Sequence, residues 1–413
     1  MTRFPDIDSY FSELQRLINS YDWNRAQTAS SLFSMEDDHS YLPYLQVESY
    51  GSRTRRSRLN DEVFDEMTCL HLHVLYCVHV ANDFVSAHST QIQIVQLFNK
   101  EILQKRKEEN WFMPIFYQLC TDLRILSKEA EDVSSQNDDG EAMTSFYEQA
   151  ANCLMECYRA CVSDVRTEIH SSKKVAMLNL TNQLFRIYFK INKLNLLKPL
   201  IRAIENCGPL YQEFSMADKV TYNYYLGRKA MFDADLPLAE KSLNYAFRNC
   251  PRDCMSNKRR VLIYLIPVKM FLGHMPTHRL LHDYKLDEFE EVVEAVKDGN
   301  LGRLDRALEQ HEKFFIKSGI FLMLEKLRSI TFRTLFKKVC SLLGGSIFLL
   351  EVFLCALSFA QVNDVDVCEL ECIMANLIAE KKIKGYISHQ HGKLVISKKQ
   401  EAFPALSSIS AAI

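Results

Sequence analysis

Helix breakers are scarce in this chain. Twelve glycines and ten prolines are spread over 413 residues, so the backbone is punctuated only at wide intervals and the segments between have room for helices of several turns. Phe146 to Val162 has helical period beside an acidic stretch, and Asn179 to Ile204 reads as two helices with a break near Asn192. Helix upon helix with short breaks predicts an α-solenoid, in which each repeat buries its apolar face on the next. Apolar residues make up 47% of the chain, enough to fill such a core.

One segment carries a repeat signature. In YNYYLGRKAMFDADLPLAEKSLNYAFRNCP (222–251), Leu226 and Gly227 fall at the Leu-Gly pair of a tetratricopeptide repeat. Ala239, Ala246 and Pro251 then occupy its later Ala, Ala and Pro positions, with Leu243 where an aromatic is usual. Small residues let two helices cross closely, and the proline stops the second. Asn223 stands where the repeat has tryptophan, so the match is partial. GNLGRLDRALEQHEKFFIKSG (299–319) reads as a second unit of the same kind.

Two polar stretches interrupt the pattern. Ser34 to Asn60 contains RTRRSR (53–58), and Ser127 to Thr144 contains EAEDVSSQNDDGEA. Both are expected to be mobile loops. Arg53, Arg55, Arg56 and Arg58 fit an import signal, a polyanion contact or an ordinary basic loop.

The character changes near residue 326. TFRTLFKKVCSLL has apolar positions at 332, 335, 336, 339, 342 and 343, a one-faced helix. IFLLEVFLCALSFA, from Ile347, reads as a buried helix. A third helix starts at Asp366, with Glu369 in capping-box position and Leu370, Ile373, Met374, Leu377 and Ile378 on its apolar face. KGYISH, the turn QHG and KLVISK form a hairpin. Three helices and a hairpin are the order of a winged helix.

Charge concentrates at this end, although the net formal charge is only -2. Lys381, Lys382, Lys384, Lys393, Lys398 and Lys399 lie in a run without acids, and Arg333, Lys337 and Lys338 (with Lys326 and Arg328 nearby) sit on the first helix. Convergent, they would neutralise phosphates without reading bases; otherwise they are a solvated surface or face an acidic protein. Asp364, Asp366, Glu369 and Glu371 open the third helix and would repel phosphates in a major groove. The expected mode is therefore sequence-tolerant backbone binding. Tyr386 is a candidate stacking residue for single strands, against the plainer reading that it is packed. Val395 and Ile396 offer an edge for a neighbouring protein, with one of them expected in the core.

Other chemistry finds little support. The 13 cysteines show no disulfide-domain spacing and suit a reducing compartment. Cys69, His73 and Cys77, like Cys153, Cys157 and Cys161, share one helix face and cannot by themselves wrap a tetrahedral metal. His71 and His73, or His389 and His391, lack the downstream Ser and Asp of a metalloisopeptidase. We find no phosphate loop, dinucleotide fingerprint, nucleophile elbow or zincin motif. No catalytic residue, metal or cofactor is expected. The N-terminus shows no signal-peptide pattern and the most apolar stretch is too short to span a bilayer, so a cytosolic or nuclear protein without a membrane anchor is expected.

Helical repeats running into a winged helix resemble the PCI module. The stretches EENWFMPIFY (108–117), NQLFRIYFKINKLNLLKPLIRAIE (182–205), YYLGRKAMFDADLPLAE (224–240), RRVLIYLIPVKMFLGHMPT (259–277) and IKGYISHQHGKLVISK (383–398) are similar to the PCI domain-containing protein 2 family. Residues before about Asp61, the arginine-rich insert included, match poorly. The resemblance implies a non-enzymatic scaffold of the nuclear mRNA-export complex that couples transcription to export. Its implied partners are a larger PCI scaffold, a small acidic DSS-type peptide and RNA or single-stranded nucleic acid. Its implied location is the nucleus, including nuclear pores, and the cytoplasm. The alternatives are a PCI subunit of proteasome-lid or signalosome type without RNA binding, and a tetratricopeptide-type peptide adaptor. The expected layout is an N-terminal helix and polar loop (1–60), a helical-repeat solenoid (61–325), a winged helix (326–399) and a flexible tail (400–413).

Overall fold

The structure is a computed structural model and describes residues 4–48, 58–106, 109–135, 145–166, 168, 171–398 and 401–410. Arg53, Arg55, Arg56, residues 136–144 and Lys399 lie outside the described residues. The chain forms two compact units, Met1–Tyr222 and Asn223–Ile413. The division thus falls within the stretch expected as one solenoid, and the winged helix shares its unit with the repeats before it.

The first unit begins with α1 (Ile7–Ile18) and α2 (Trp23–Leu32), then α3 (Glu62–Tyr76), α4 (Phe84–Leu97) and α5 (Met113–Ser134). It continues through α6 (Phe146–Val162), α7 (Met177–Lys190), α8 (Leu197–Glu205) and α9 (Leu210–Glu213). Aspartates start several of these helices: Asp6, Asp22, Asp61 and Asp83 each accept from main-chain N–H groups of the first turn, the groups a helix leaves without internal partners. Successive helices pack on one another, α3 on α4, α4 on α5, α5 on α6 and α6 on α7. Fully buried aromatics fill the space between them, with Phe98 stacked on Phe116 at 4.9 Å. The break near Asn192 is real, with φ of 57° at that residue. Helix α5 runs on to Ser134 and so takes in the first residues expected as an acidic loop. Residues 34–48, also expected as loop, make two short 3-10 turns and bury His39, Ser40 and Leu45.

The second unit takes over within α10 (Met216–Phe232), which pairs with α11 (Leu236–Asn249) as the repeat signature predicts. Gly227 lies against Leu243, and Ala239 and Ala246 are buried. Then follow α12 (Met255–Phe271), α13 (His278–Asp283), α14 (Glu290–Asp298), α15 (Leu301–Gln310), α16 (Glu312–Ser318) and α17 (Phe321–Lys326). Gly299, in the left-handed region at φ 73°, ends α14 and lies so close to the backbone at Leu335 that a Cβ would meet Leu335 N at 2.6 Å.

The winged helix closes the chain. Helix α18 (Arg328–Leu343) is followed by β1 (Ile347–Leu349), α19 (Leu350–Phe359), α20 (Val367–Ala379), β2 (Gly385–Ser388) and β3 (Lys393–Ile396). Asp366 caps α20 by accepting from Glu369 N at 2.7 Å, the forward half of the expected capping box; among the described residues the return bond from Glu369 to Asp366 N is absent. The opening of the stretch expected as one buried helix is instead strand, Ile347–Leu349, and the helix begins only at Leu350. Gly344 and Gly345, both at positive φ, turn the chain there. The three strands form one antiparallel sheet in the order β1-β3-β2. Phe348, Leu394, Leu370, Met374, Leu377 and Phe353 meet in its core; burying one such side chain is worth about 1.5–3 kcal/mol. The tail, expected to be loose, returns to this core: Phe403 is buried in it, and α21 (Leu406–Ser410) follows.

Candidate nucleic-acid and partner interface

A strand has two faces, and the register of this sheet assigns every side chain to one of them. Phe348, Leu394 and Ile387 align across the three strands and turn inward, two of them buried and Ile387 packed on the core. Ile347, Val395 and Tyr386 form the next row, and Leu349, Lys393 and Ser388 the one after. Both rows face outward, with Ile347, Leu349 and Tyr386 exposed by 58%, 48% and 62%. Of the two candidates for an edge, Ile396 packs on the core and Val395 faces out. Neither lies at an edge, because β3 is the central strand.

The edges of the sheet are β1 and β2, and β1 is the aliphatic one. Ile396 N donates to Ser346 O and Leu350 N to Gly392 O, both at 2.9 Å. Alternation along an antiparallel pair therefore turns the N–H and C=O of Ile347 and Leu349 away from β3. Beside them Leu342 and Leu343, expected to help bury the one-faced helix, are exposed by 86% and 55%. They lie in the last turn of α18, past the point where its other apolar residues reach the core. The β1 edge thus carries two outward aliphatic side chains, and two more exposed leucines precede it at the end of α18, the kind of edge that is open to strand pairing.

The lysines separate into groups. Lys393 lies on the outer sheet face, and Lys384 lies just before β2, two residues before Tyr386. Lys381 and Lys398 are exposed near the two ends of the hairpin, and Lys337 is exposed on α18. Lys338 and Lys382 are already engaged: Lys338 Nζ donates to Asp298 O at 3.0 Å, and Lys382 pairs with Glu380 at 2.6 Å and donates to Ser329 Oγ at 2.8 Å. Arg328 pairs with Asp305 at 2.6 Å. Lys326 lines an apolar groove of about 600 Å³ formed with Met231, Phe232, Phe271, Ile316 and Leu322.

Arg333 departs from its expected surface role. It is buried, and its guanidinium donates to Lys382 O at 3.2 Å and Pro404 O at 2.6 Å. Burial lowers its pKa from the usual arginine value. The side chain ties helix α18 to the start of the wing and to the tail, because two main-chain carbonyls there need a donor.

The histidine and cysteine sets also have local places. His389 Nδ1 meets Glu371 Oε2 at 2.8 Å, fastening the hairpin turn to α20, and His391 Nδ1 lies 3.1 Å from Ser388 Oγ. His71 is buried with its ring 6.0 Å from that of His39, and Cys153, Cys157 and Cys161 are buried along α6. Three cysteines, Cys355, Cys368 and Cys372, are exposed on α19 and α20.

A profile of the PCI domain matches residues 308–398, from the last turn of α15 through the wing. The chain is 66% identical over 412 residues to the PCI domain-containing protein 2 homolog of Caenorhabditis elegans, covering 99% of this chain and 100% of that protein. The chain belongs to the PCI domain-containing protein 2 family. Within that family it is also 49% identical over 397 residues to the Danio rerio PCI domain-containing protein 2 (96% of this chain, 98% of that one). Enhanced ethylene response protein 5 of Arabidopsis thaliana is 35% identical over 308 residues, 73% of this chain and 72% of its own. A member of the PCI domain-containing protein 2 family, the chain is a PCI scaffold subunit.

Sequence reasoning missed the β1 edge and its leucines. The signal was present as Gly344-Gly345 followed by the short run Ile347-Phe348-Leu349, but a short apolar run is equally compatible with helix.

Proposed function

We propose that this chain is a non-enzymatic scaffold subunit of a nuclear mRNA-export complex that acts at nuclear pores and is present also in the cytoplasm. In this reading it pairs with a larger PCI scaffold along β1 and holds RNA phosphates on the lysines of the wing. The observation that carries the reading is the division of one sheet face. Its β1 side is aliphatic and open-edged, while its β2–β3 side bears Lys384, Tyr386 and Lys393. A protein partner and a polyanion can thus be held side by side on three strands. The small acidic peptide is assigned to the apolar groove, where Leu322, exposed by 71%, and Lys326 suit an acidic segment with a large apolar anchor.

The test is RNA binding with the scaffold partner present, wild type against Lys381, Lys384, Lys393 and Lys398 changed to glutamate, over a salt series. A large loss is expected, with a salt slope shallower by about 0.7 for each phosphate contact removed on a single strand. Undiminished RNA binding by a folded variant would overturn the wing path and move the RNA contact to the solenoid, the Arg53–Arg58 stretch or the partner, whereas no RNA binding by the wild-type pair would favour a PCI scaffold of proteasome-lid or signalosome type.

A further inference from the structure

We propose that the outer sheet face selects single-stranded over duplex nucleic acid by stacking a base on Tyr386. The inference rests on the RNA reading above and specifies its substrate. Tyr386 sits on β2 with Val395 directly opposite and Ile347 beyond it in the same row. Its side chain is 62% exposed, and among the described residues it has neither a ring partner nor a hydrogen bond. A large aromatic left open in this way, on a floor of Val395 and Ile347, presents a flat apolar surface that any base can cover.

The cations stand where a stacked nucleotide would place its phosphates. Lys384 precedes Tyr386 by two residues, just before β2, where its carbonyl accepts from Ser397 N at 2.9 Å, and Lys393 lies diagonally across on β3, opposite Ser388. Neighbours along one face of a strand are about 6.6 Å apart, and diagonal pairs across strands about 7–8 Å. Both lysines are thus within one side-chain length of a base resting on the ring. A duplex offers no free base face, and the usual route for duplex binding is closed here. Helix α20 exposes Asp366 and Glu369 at its start, so entry into a major groove meets repulsion.

The test uses the full chain, a short labelled oligouridylate and a blunt RNA duplex, with binding read by fluorescence anisotropy at several salt concentrations. Wild type is expected to bind the oligouridylate more tightly than the duplex. Tyr386→Ala is expected to weaken oligouridylate binding about tenfold or more with no change in salt slope, because no phosphate contact is lost. Tyr386→Phe keeps the ring and is expected to bind like wild type. Lys393→Ala is expected to lower the slope by about 0.7. If Lys393→Ala weakens binding but Tyr386→Ala does not, stacking is overturned while the wing reading stands. Tyr386→Phe as weak as Tyr386→Ala, or a wild type that prefers duplex, overturns it too. If wild type binds neither probe, or neither the lysine nor the tyrosine variant loses affinity, both readings fall together.

Discussion

Gly227 on α10 and Leu243 on α11 approach so closely that a methyl group on the glycine would lie 2.6 Å from Leu243 Cγ and 3.1 Å from its main-chain nitrogen. Leu243 is fully buried and cannot swing aside. Gly227→Ala gains about 1 kcal/mol in helix propensity, but overpacking of this kind costs about 1–3 kcal/mol. The substitution is expected to lower the thermal unfolding midpoint of the full chain. In a Leu243→Ala background the same change is expected to cost less, and equal costs in the two backgrounds would show that the contact is not the cause.

Arg333 is expected to behave as a structural residue. Arg333→Met removes the donors to Lys382 O and Pro404 O, and hydrogen bonds from a charged group contribute about 1.5–3 kcal/mol. Chemical denaturation is expected to show a loss on the order of 2–4 kcal/mol. Where the variant is folded, its RNA salt slope is expected to match wild type. A reduced slope with unchanged stability would return Arg333 to the phosphate surface.

The β1 edge gives a prediction without a folding penalty. Ile347 and Leu349 are exposed, so Ile347→Lys with Leu349→Lys is expected to leave the unfolding free energy within about 0.5 kcal/mol of wild type. Co-purification with a larger PCI-domain partner is expected to be lost. Retained co-purification would move that partner elsewhere.

Asp122 should make stability fall with rising pH. It lies on α5 at 2% exposure and accepts from Gln118 Nε2 at 2.8 Å. Burial pushes its carboxyl up to about 8 from the ordinary 3.8. The folded protein therefore holds a proton that the unfolded chain releases above its own pKa. This contribution is complete below about 4 and is lost as pH climbs through about 8, with a limiting slope of about 1.4 kcal/mol per pH unit. Asp122→Asn is expected to flatten urea-denaturation stability over that window; an unchanged slope would place the titration on another group.

His71 acts in the opposite direction. Burial first, and the nearby His39 second, lower its pKa to about 3 from 6.5. The folded state keeps it neutral while the unfolded chain takes up a proton. Its contribution is present above about 6.5 and declines as pH falls toward 3. His71→Phe is expected to reduce the acid sensitivity of unfolding between those values, measured by circular dichroism; equal sensitivity would count against a buried neutral imidazole.

Much of the fold was legible because its causes are local. A cap needs an aspartate and a donor three residues on, as at Asp366 and Glu369. A repeat crossing needs a glycine opposite a side chain, as at Gly227 and Leu243. Breaks such as Asn192 need one residue at positive φ. These interactions act within a few residues or one hairpin of helices, and the period of the sequence reports them. The functional surface was only half legible. The wing lysines could be read as a run, but nothing local distinguished Lys393 on the open face from Lys382, which is held by Glu380 and Ser329.

By itself, then, the sequence determined the helices, their caps, the repeat crossing and the basic character of the C-terminal hairpin, since each depends on neighbours along the chain. Only the tertiary structure decided that Ile347–Leu349 is a strand, through pairing with Val395, Leu394 and Lys393. It also decided that β3 is central, that Leu342 and Leu343 face solvent, and that Arg333 faces Pro404. Ile347 and Val395 are 48 residues apart (395 − 347), and Arg333 and Pro404 are 71 apart. Burial and pairing over such separations are set by how whole elements pack, a property that no window of sequence contains.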